Sequence, residues 1–188
     1  MSSEFRQSLR RLKPEKRRKS LSRRPRAELR FLSDLKPPFP KLLLDTTVYI
    51  DALQGRLPEE ALIVQWAGGP WHSTVTEAEL AAAAGVLDPA HAHTPRAIAE
   101  VAESIDARPA HRILNPDRET WREAGILAGL LARLQHYGKS ERRRTFNDAL
   151  IFLSAAKNGC AVLTRNAADF DLLMQLDARG QAVFYDVQ

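Results

Sequence analysis

Four stretches of the chain place an oxygen-bearing side chain at the end of an expected strand or in the first turns of an expected helix. Asp45 follows Leu42-Leu43-Leu44 and is itself followed by Thr46 and Thr47. Glu79 lies in the opening turns of a helix-forming stretch that comes after Trp71-His72-Ser73. Asp148 sits in Asn147-Asp148-Ala149-Leu150-Ile151-Phe152, and Thr164-Arg165-Asn166 follows Ala161-Val162-Leu163, with Asp169 three residues further on. In a parallel sheet all strand ends and the following helix starts open on one edge, where such folds bind their ligands. Carboxylates gathered there repel one another unless cations intervene. All-oxygen ligation suits Mg²⁺ or Mn²⁺ rather than zinc, and such a site can deprotonate water and steady charge on a phosphodiester. Each residue also has a bland reading. Glu79 can be an exposed helix residue, Asp148 a carboxylate favoured by a helix dipole, Asn166 a helix cap and Asp169 a first-turn acid. Their coincidence at one edge favours a common site.

The elements that must position these residues follow from breakers and periodicity. The first strand ends at Asp45, and Thr46 is expected to cap a helix over about 47–54. A second helix is expected over 58–67, stopped by Gly68-Gly69-Pro70. A short strand at 71–73 leads into a helix through Glu77, Glu79 and the alanine run to Ala84. Pro95 opens a helix over 95–107, and 111–114 is a strand. Asn115-Pro116-Asp117 caps a helix over 117–136, in which Trp121, Ala124, Leu127, Ala128, Leu131 and Leu134 keep helical spacing. Residues 138–144 read as a polar, basic loop, and 146–157 as a helix ended by Asn158-Gly159. A strand at 161–164, a helix at 167–176 and a strand at 182–185 complete the chain. This alternation predicts an α/β fold, a central parallel sheet wrapped by helices.

The length of 188 residues fits one domain with an appendage, and 44% hydrophobic residues suffice for a core. No apolar run is long enough for a membrane span. The basic N-terminus has no apolar segment behind it, so a secretory signal is not expected. The single cysteine, Cys160, excludes an internal disulfide, and a reducing, cytoplasmic setting is expected. Charge divides the chain unevenly. Residues 1–36 hold 13 Lys and Arg against 4 Asp and Glu, a net of +9, while the remainder nets −4. Pro37-Pro38-Phe39-Pro40 is a stiff linker. The division expected is therefore a basic arm and linker at 1–40 and a folded α/β domain at 41–188. Within the arm a short helix around 26–35 is expected but no core of its own, so removing 1–36 is expected to spare the fold. The arm suits nucleic acid, including DNA, or an acidic partner.

The four motifs together resemble a known family. Leu43-Leu44-Asp45-Thr46-Thr47-Val48, Ser73-Thr74-Val75-Thr76-Glu77-Ala78-Glu79-Leu80, Asn147-Asp148-Ala149-Leu150-Ile151 and Leu163-Thr164-Arg165-Asn166-Ala167-Ala168-Asp169-Phe170 are similar, in order and spacing, to the motifs of PIN-domain nucleases. The resemblance covers about 41–186 and is closest to the VapC-like toxins of bacterial type II toxin–antitoxin systems. It implies a Mg²⁺- or Mn²⁺-dependent endoribonuclease under the control of a cognate antitoxin, with Asp45, Glu79 and Asp148 as metal ligands. Asn166 departs from the family pattern, in which many members carry Asp directly after Thr-Arg; Asp169 is the alternative to it in completing the site. Thr46, Thr164 and the run Arg142-Arg143-Arg144 are candidates for holding RNA phosphates, and a homodimer is compatible with the family. The competing reading is a non-catalytic module that keeps the fold and binds nucleic acid or antitoxin.

Other chemistries find less support. His72, His91 and His93 lack zinc-ligand spacing, Ser73 and Ser154 have no His–Asp partners, and no glycine-rich phosphate loop is present. A phosphoaspartyl phosphatase would want an acid two residues after Asp45, where Thr47 stands.

Overall fold

Short apolar runs make the strands, and their alternating side chains build two core layers. The structure is a computed structural model that describes residues 4–62 and 69–187. The strands are β1 (Leu42–Leu44), β2 (His72–Ser73), β3 (Ile113–Leu114), β4 (Ala161–Thr164) and β5 (Gln181–Phe184). β1, β4 and β5 pair in that order, and β2 pairs with β3, all in parallel. A parallel bridge between Leu43 and Trp71 joins the two groups, so the order reads β3-β2-β1-β4-β5. Leu43, Val162, Ala182 and Phe184 face one core layer; Leu42, Leu44, Ala161, Leu163 and Val183 face the other. This is the period of two expected of a strand. Burial on both faces is what a parallel sheet covered by helices requires.

The helices are α1 (Glu4–Leu12), α2 (Thr46–Leu53), α3 (Thr74–Gly85), α4 (Thr94–Asp106), α5 (Arg118–Leu134), α6 (Lys139–Lys157) and α7 (Ala167–Leu176). Residues 59–62 are helical, and the remainder of the helix expected over 58–67 lies outside the described residues apart from Pro58. The predicted parallel α/β architecture is what forms, with two local corrections. Residues 139–144 are not a loop but the opening turns of α6. The Gly138 amide donates to Glu141 Oε2 at 2.8 Å and the Arg142 amide to Gly138 O at 3.1 Å, which satisfies the first turn. Lys, Glu and Arg are good helix formers; a polar run has no apolar period to betray it. Asp148 consequently lies in the third turn of α6 rather than the first. The helix expected around 26–35 is replaced by two single 3₁₀ turns, Arg26–Glu28 and Leu32–Asp34, with Leu29 and Phe31 extended between and beside them.

The N-terminal segment is built into the body. Leu12, at the end of α1, is completely buried in the layer formed with α5 and α6, and Phe31 and Leu32 are buried too. Phe31 bridges Phe184 on the outer edge of β5, and the Phe184 amide donates to Arg30 O at 2.9 Å. The segment thereby covers an edge that would otherwise present unpaired backbone groups. Arg24 donates to the buried Asp171 through both Nε (2.6 Å) and its amide (2.8 Å). The expectation that residues 1–36 can be removed without harm to the fold is therefore corrected: Leu12, Phe31 and Leu32 enter the core. Leu12→Ala is expected to cost about 2–5 kcal/mol of stability, read by urea unfolding, whereas a free arm would show no change.

Candidate active site

The carboxyl edge of β1 and β4 gathers the acids. Asp45 follows β1 directly and is 2% exposed. Its Oδ2 accepts the hydroxyls of Thr47 and Thr164, each at 2.7 Å, and the Thr47 amide at 3.4 Å. Asp45, not Thr46, is therefore the N-cap of α2. The Thr46 hydroxyl turns instead to Glu79 and donates to its Oε2. Asn147 Nδ2 donates to the other oxygen of Glu79 at 2.8 Å, so the carboxylate from α3 is held between α2 and α6.

Asp148 is almost fully buried, and its hydrogen-bond support is one long contact, from Asn166 Nδ2 at 3.4 Å. The same amide donates to Asp169 Oδ2 at 3.0 Å, so Asn166 bridges two carboxylates. Its Oδ1 also accepts the Asp169 amide at 3.3 Å, capping α7. Asp169 further accepts the Tyr137 hydroxyl at 2.9 Å and pairs with Arg144 at 3.3 Å. Asn166 and Asp169 thus occupy the fourth corner together.

Burial and neighbouring charge act on these acids together. Burial pushes the Asp148 carboxyl well above the usual carboxylate range, and Asp45, Asp169 and Glu79 push it further, against Arg144. Burial also raises Asp45, opposed by the Thr164 and Thr47 hydroxyls. Glu79 is raised by burial and by Asp45, opposed by Thr46, Asn147 and Arg143. Tyr137 is pushed up to about 12, first by burial and then by its bond to Asp169. The donor set is all oxygen and short of positive charge, which suits a hard divalent cation. As placed, no three His, Cys, Asp or Glu side chains among the described residues are close enough to cage a metal, so the fit rests on charge and donor type.

The candidates for phosphate contact separate. Arg143 and Arg144 line a cleft of about 450 Å³ beside Glu79. Arg142 turns away, its Nε donating to Tyr137 O at 3.0 Å, and lines a different depression with Arg133 and His136. Thr164 is wholly buried and holds Asp45, and Thr46 holds Glu79, so both are committed to carboxylates. Sequence reasoning missed Thr47, Asn147 and Tyr137 as supports of the acids. Thr47 and Asn147 adjoin motif acids, a signal that was available; Tyr137 gives none, because the turn after α5 alone brings it to Asp169. His72 is buried with Nδ1 2.5 Å from the Tyr49 hydroxyl, and burial lowers its pKa to about 4, which fits no exposed role.

A parallel α/β sheet carrying a buried acidic pit at its carboxyl edge is the class that fold and site define. The PIN-domain family model matches residues 42–172, and the chain belongs to that family. Among solved structures, a chain of DNA-bound VapBC from Salmonella typhimurium is 23% identical with a TM-score of 0.52, over 77% of this chain and 97% of that one. A chain of FitAB bound to an IR36 DNA fragment is 21% identical with a TM-score of 0.48, over 76% and 93% respectively. The VapBC likeness is one of fold. No curated protein matches the chain.

A carboxyl raised in the folded state adds stability below its unfolded pKa and loses it as pH rises through the folded value. Metal-free protein is therefore expected to lose thermal stability through Asp148 as pH climbs above about 4. Asp148→Asn should raise Tm at neutral pH in EDTA, by about 2–4 °C for each kcal/mol relieved, and flatten the slope. Calorimetry at several pH values checks this; identical slopes would show that Asp148 does not feel the other acids.

Proposed function

We propose that this chain is a metal-dependent endoribonuclease that hydrolyses RNA phosphodiesters, acting as the toxin of a type II toxin–antitoxin pair. The observation that carries this reading is the linking of the acids through shared donors: Asn166 spans Asp148 and Asp169, Thr164 at the end of β4 holds Asp45, and Asn147, next to Asp148, holds Glu79. Asp45, Glu79 and Asp148 would hold Mg²⁺ or Mn²⁺. When bound, the cation lowers the pKa of a water and neutralises charge on the phosphoryl oxygens. The chain's own groups orient the acids: Thr47 and Thr164 fix Asp45, Thr46 and Asn147 fix Glu79, and Asn166 spans Asp148 and Asp169. Arg143 and Arg144, exposed at the mouth, attract the RNA backbone.

A cognate antitoxin as controlling partner rests on the motif resemblance to VapC-like toxins. The exposed Arg10, Lys13, Lys16, Arg18 and Lys19 of the N-terminal segment offer a second phosphate contact, to RNA or to DNA. No described helix is long and apolar enough to cross a membrane; a cytoplasmic location belongs to the proposal.

Purified protein with Mn²⁺ and a panel of structured and unstructured RNAs is expected to cleave, and EDTA to stop it. Asp45→Asn should cut the rate at least about 100-fold, the upper end of what losing a mere outer partner of a metal ligand costs. RNA binding without cleavage, indifferent to EDTA and to Asp45→Asn, would favour the non-catalytic module instead. Asn166→Asp replaces the two amide donations with a further carboxylate. It should lower Tm in EDTA and regain more stability than the wild type when Mg²⁺ is added. Equal responses in the two proteins would leave Asn166 with a capping role alone.

A further inference from the structure

Next to the acidic pit, the molecule holds a feature that hydrolysis as such does not use. The cleft of about 450 Å³ between α3, α5 and α6 is lined by Val75, Ala78 and Leu150 and by Glu79 and Asn147. Trp121, from the first turn of α5, lines it and is 48% exposed. Among the described residues, Phe5 and Trp121 are the exposed large aromatic side chains, and Trp121 alone of the two borders the site. The indole is backed by Phe146 of α6, with ring centroids 5.7 Å apart and planes at 43°. A large ring held against a second ring with one side open is a stacking surface; nothing in core packing calls for its exposure. Arg143 and Arg144 stand on the rim of the same cleft.

The geometry points to a nucleobase shelf: an unpaired base of single-stranded RNA stacks on Trp121, and its phosphate passes Arg143 and Arg144 toward Glu79. This rests on the ribonuclease reading above and adds to it the side chain that seats a base, Trp121. Three features select this occupant. The apolar wall accepts a base, since every base offers a π-face to an aromatic ring. Two arginines complement the backbone charge of the same nucleotide. Glu79 and Asn147 line the same cleft, so a strand seated here lies beside one acid of the site and its supporting amide. A duplex keeps its bases stacked on one another and cannot use the shelf.

The test uses the full chain and a single-stranded RNA about ten nucleotides long, with Ca²⁺ in place of Mg²⁺ for binding and Mn²⁺ for cleavage. RNA should quench the tryptophan fluorescence of the wild type, and Trp121→Phe should abolish the quench while keeping affinity within roughly 3-fold. Trp121→Ala should weaken binding roughly 5- to 150-fold, the range of one lost base stack, and raise KM with little change in kcat. An abasic nucleotide scanned along the strand should weaken the wild type at one position and leave Trp121→Ala indifferent there. Trp121→Phe guards against misfolding, because it keeps the ring contact with Phe146. The shelf is overturned if Trp121→Ala binds and cleaves like the wild type, or if duplex RNA binds as well as single strands. It is equally overturned if Trp121→Ala dissolves a dimer while RNA affinity stays the same, which would make a second copy the occupant. If RNA binds with the expected quench and Trp121 dependence but no metal supports cleavage, the shelf stands and the nuclease reading falls.

Discussion

The burial of neighbouring carboxylates is the constraint on which this molecule turns. Asp45, Glu79, Asp148 and Asp169 are brought to one edge of the sheet by four different elements. Most of the groups that hold them are neutral: three threonine hydroxyls, two asparagine amides and a tyrosine. Neutral donors fix the orientation of the acids without cancelling their charge. The contrast with Asp51 is instructive. Asp51 is fully buried as well, yet it meets Arg56 at 2.9 Å, Arg165 at 2.7 Å and the Tyr185 hydroxyl at 2.9 Å. Two guanidiniums and a phenol settle that charge within the protein, as buried ions require. Asp51 ties α2 to the segment after β4 and to the chain beyond β5; among the described residues Asp148 has no comparable partner.

The basic N-terminal segment solves a different problem for the same fold. Its arginines answer acids of the body: Arg11 meets Glu123, Arg24 meets Asp171 and Arg26 meets Asp186. The Arg26–Asp186 pair is open to solvent and contributes little, whereas Asp171 is buried and needs its partner. Phe31, with the Arg26 guanidinium 3.5 Å from its ring centre, covers the edge of β5. Charge separation along the sequence is thus partly cancelled in space, and the remaining basic surface lies on the outside of a docked segment.

Local sequence carried the acids and their order. Asp45, Glu79, Asn166 and Asp169 stand directly after strands or within the helices that follow, and a parallel sheet leaves such positions one common edge; Asp148 lies in the third turn of α6, which follows α5, so packing and not that rule brings it there. The strands at 42–44 and 161–164 and the helix at 167–176 were legible because apolar runs and breakers bound them closely. Tertiary structure alone decided the rest. Whether Thr46 capped its helix or gripped Glu79 depended on how close α3 came to α2. Whether Arg142 joined Arg143 and Arg144 depended on 139–144 coiling into α6, which turns successive side chains about 100° apart and sends Arg142 to another face. Leu12 and Phe31 looked like stray apolar residues in a charged arm, since burial against α5 and β5 is a contact across more than a hundred residues. Trp121 read as core by its spacing, and only the mouth left between α3 and α6 shows it half open. Sequence fixes which side chains are available and on which edge; distance, burial and the counter-charges around each group belong to the packed molecule.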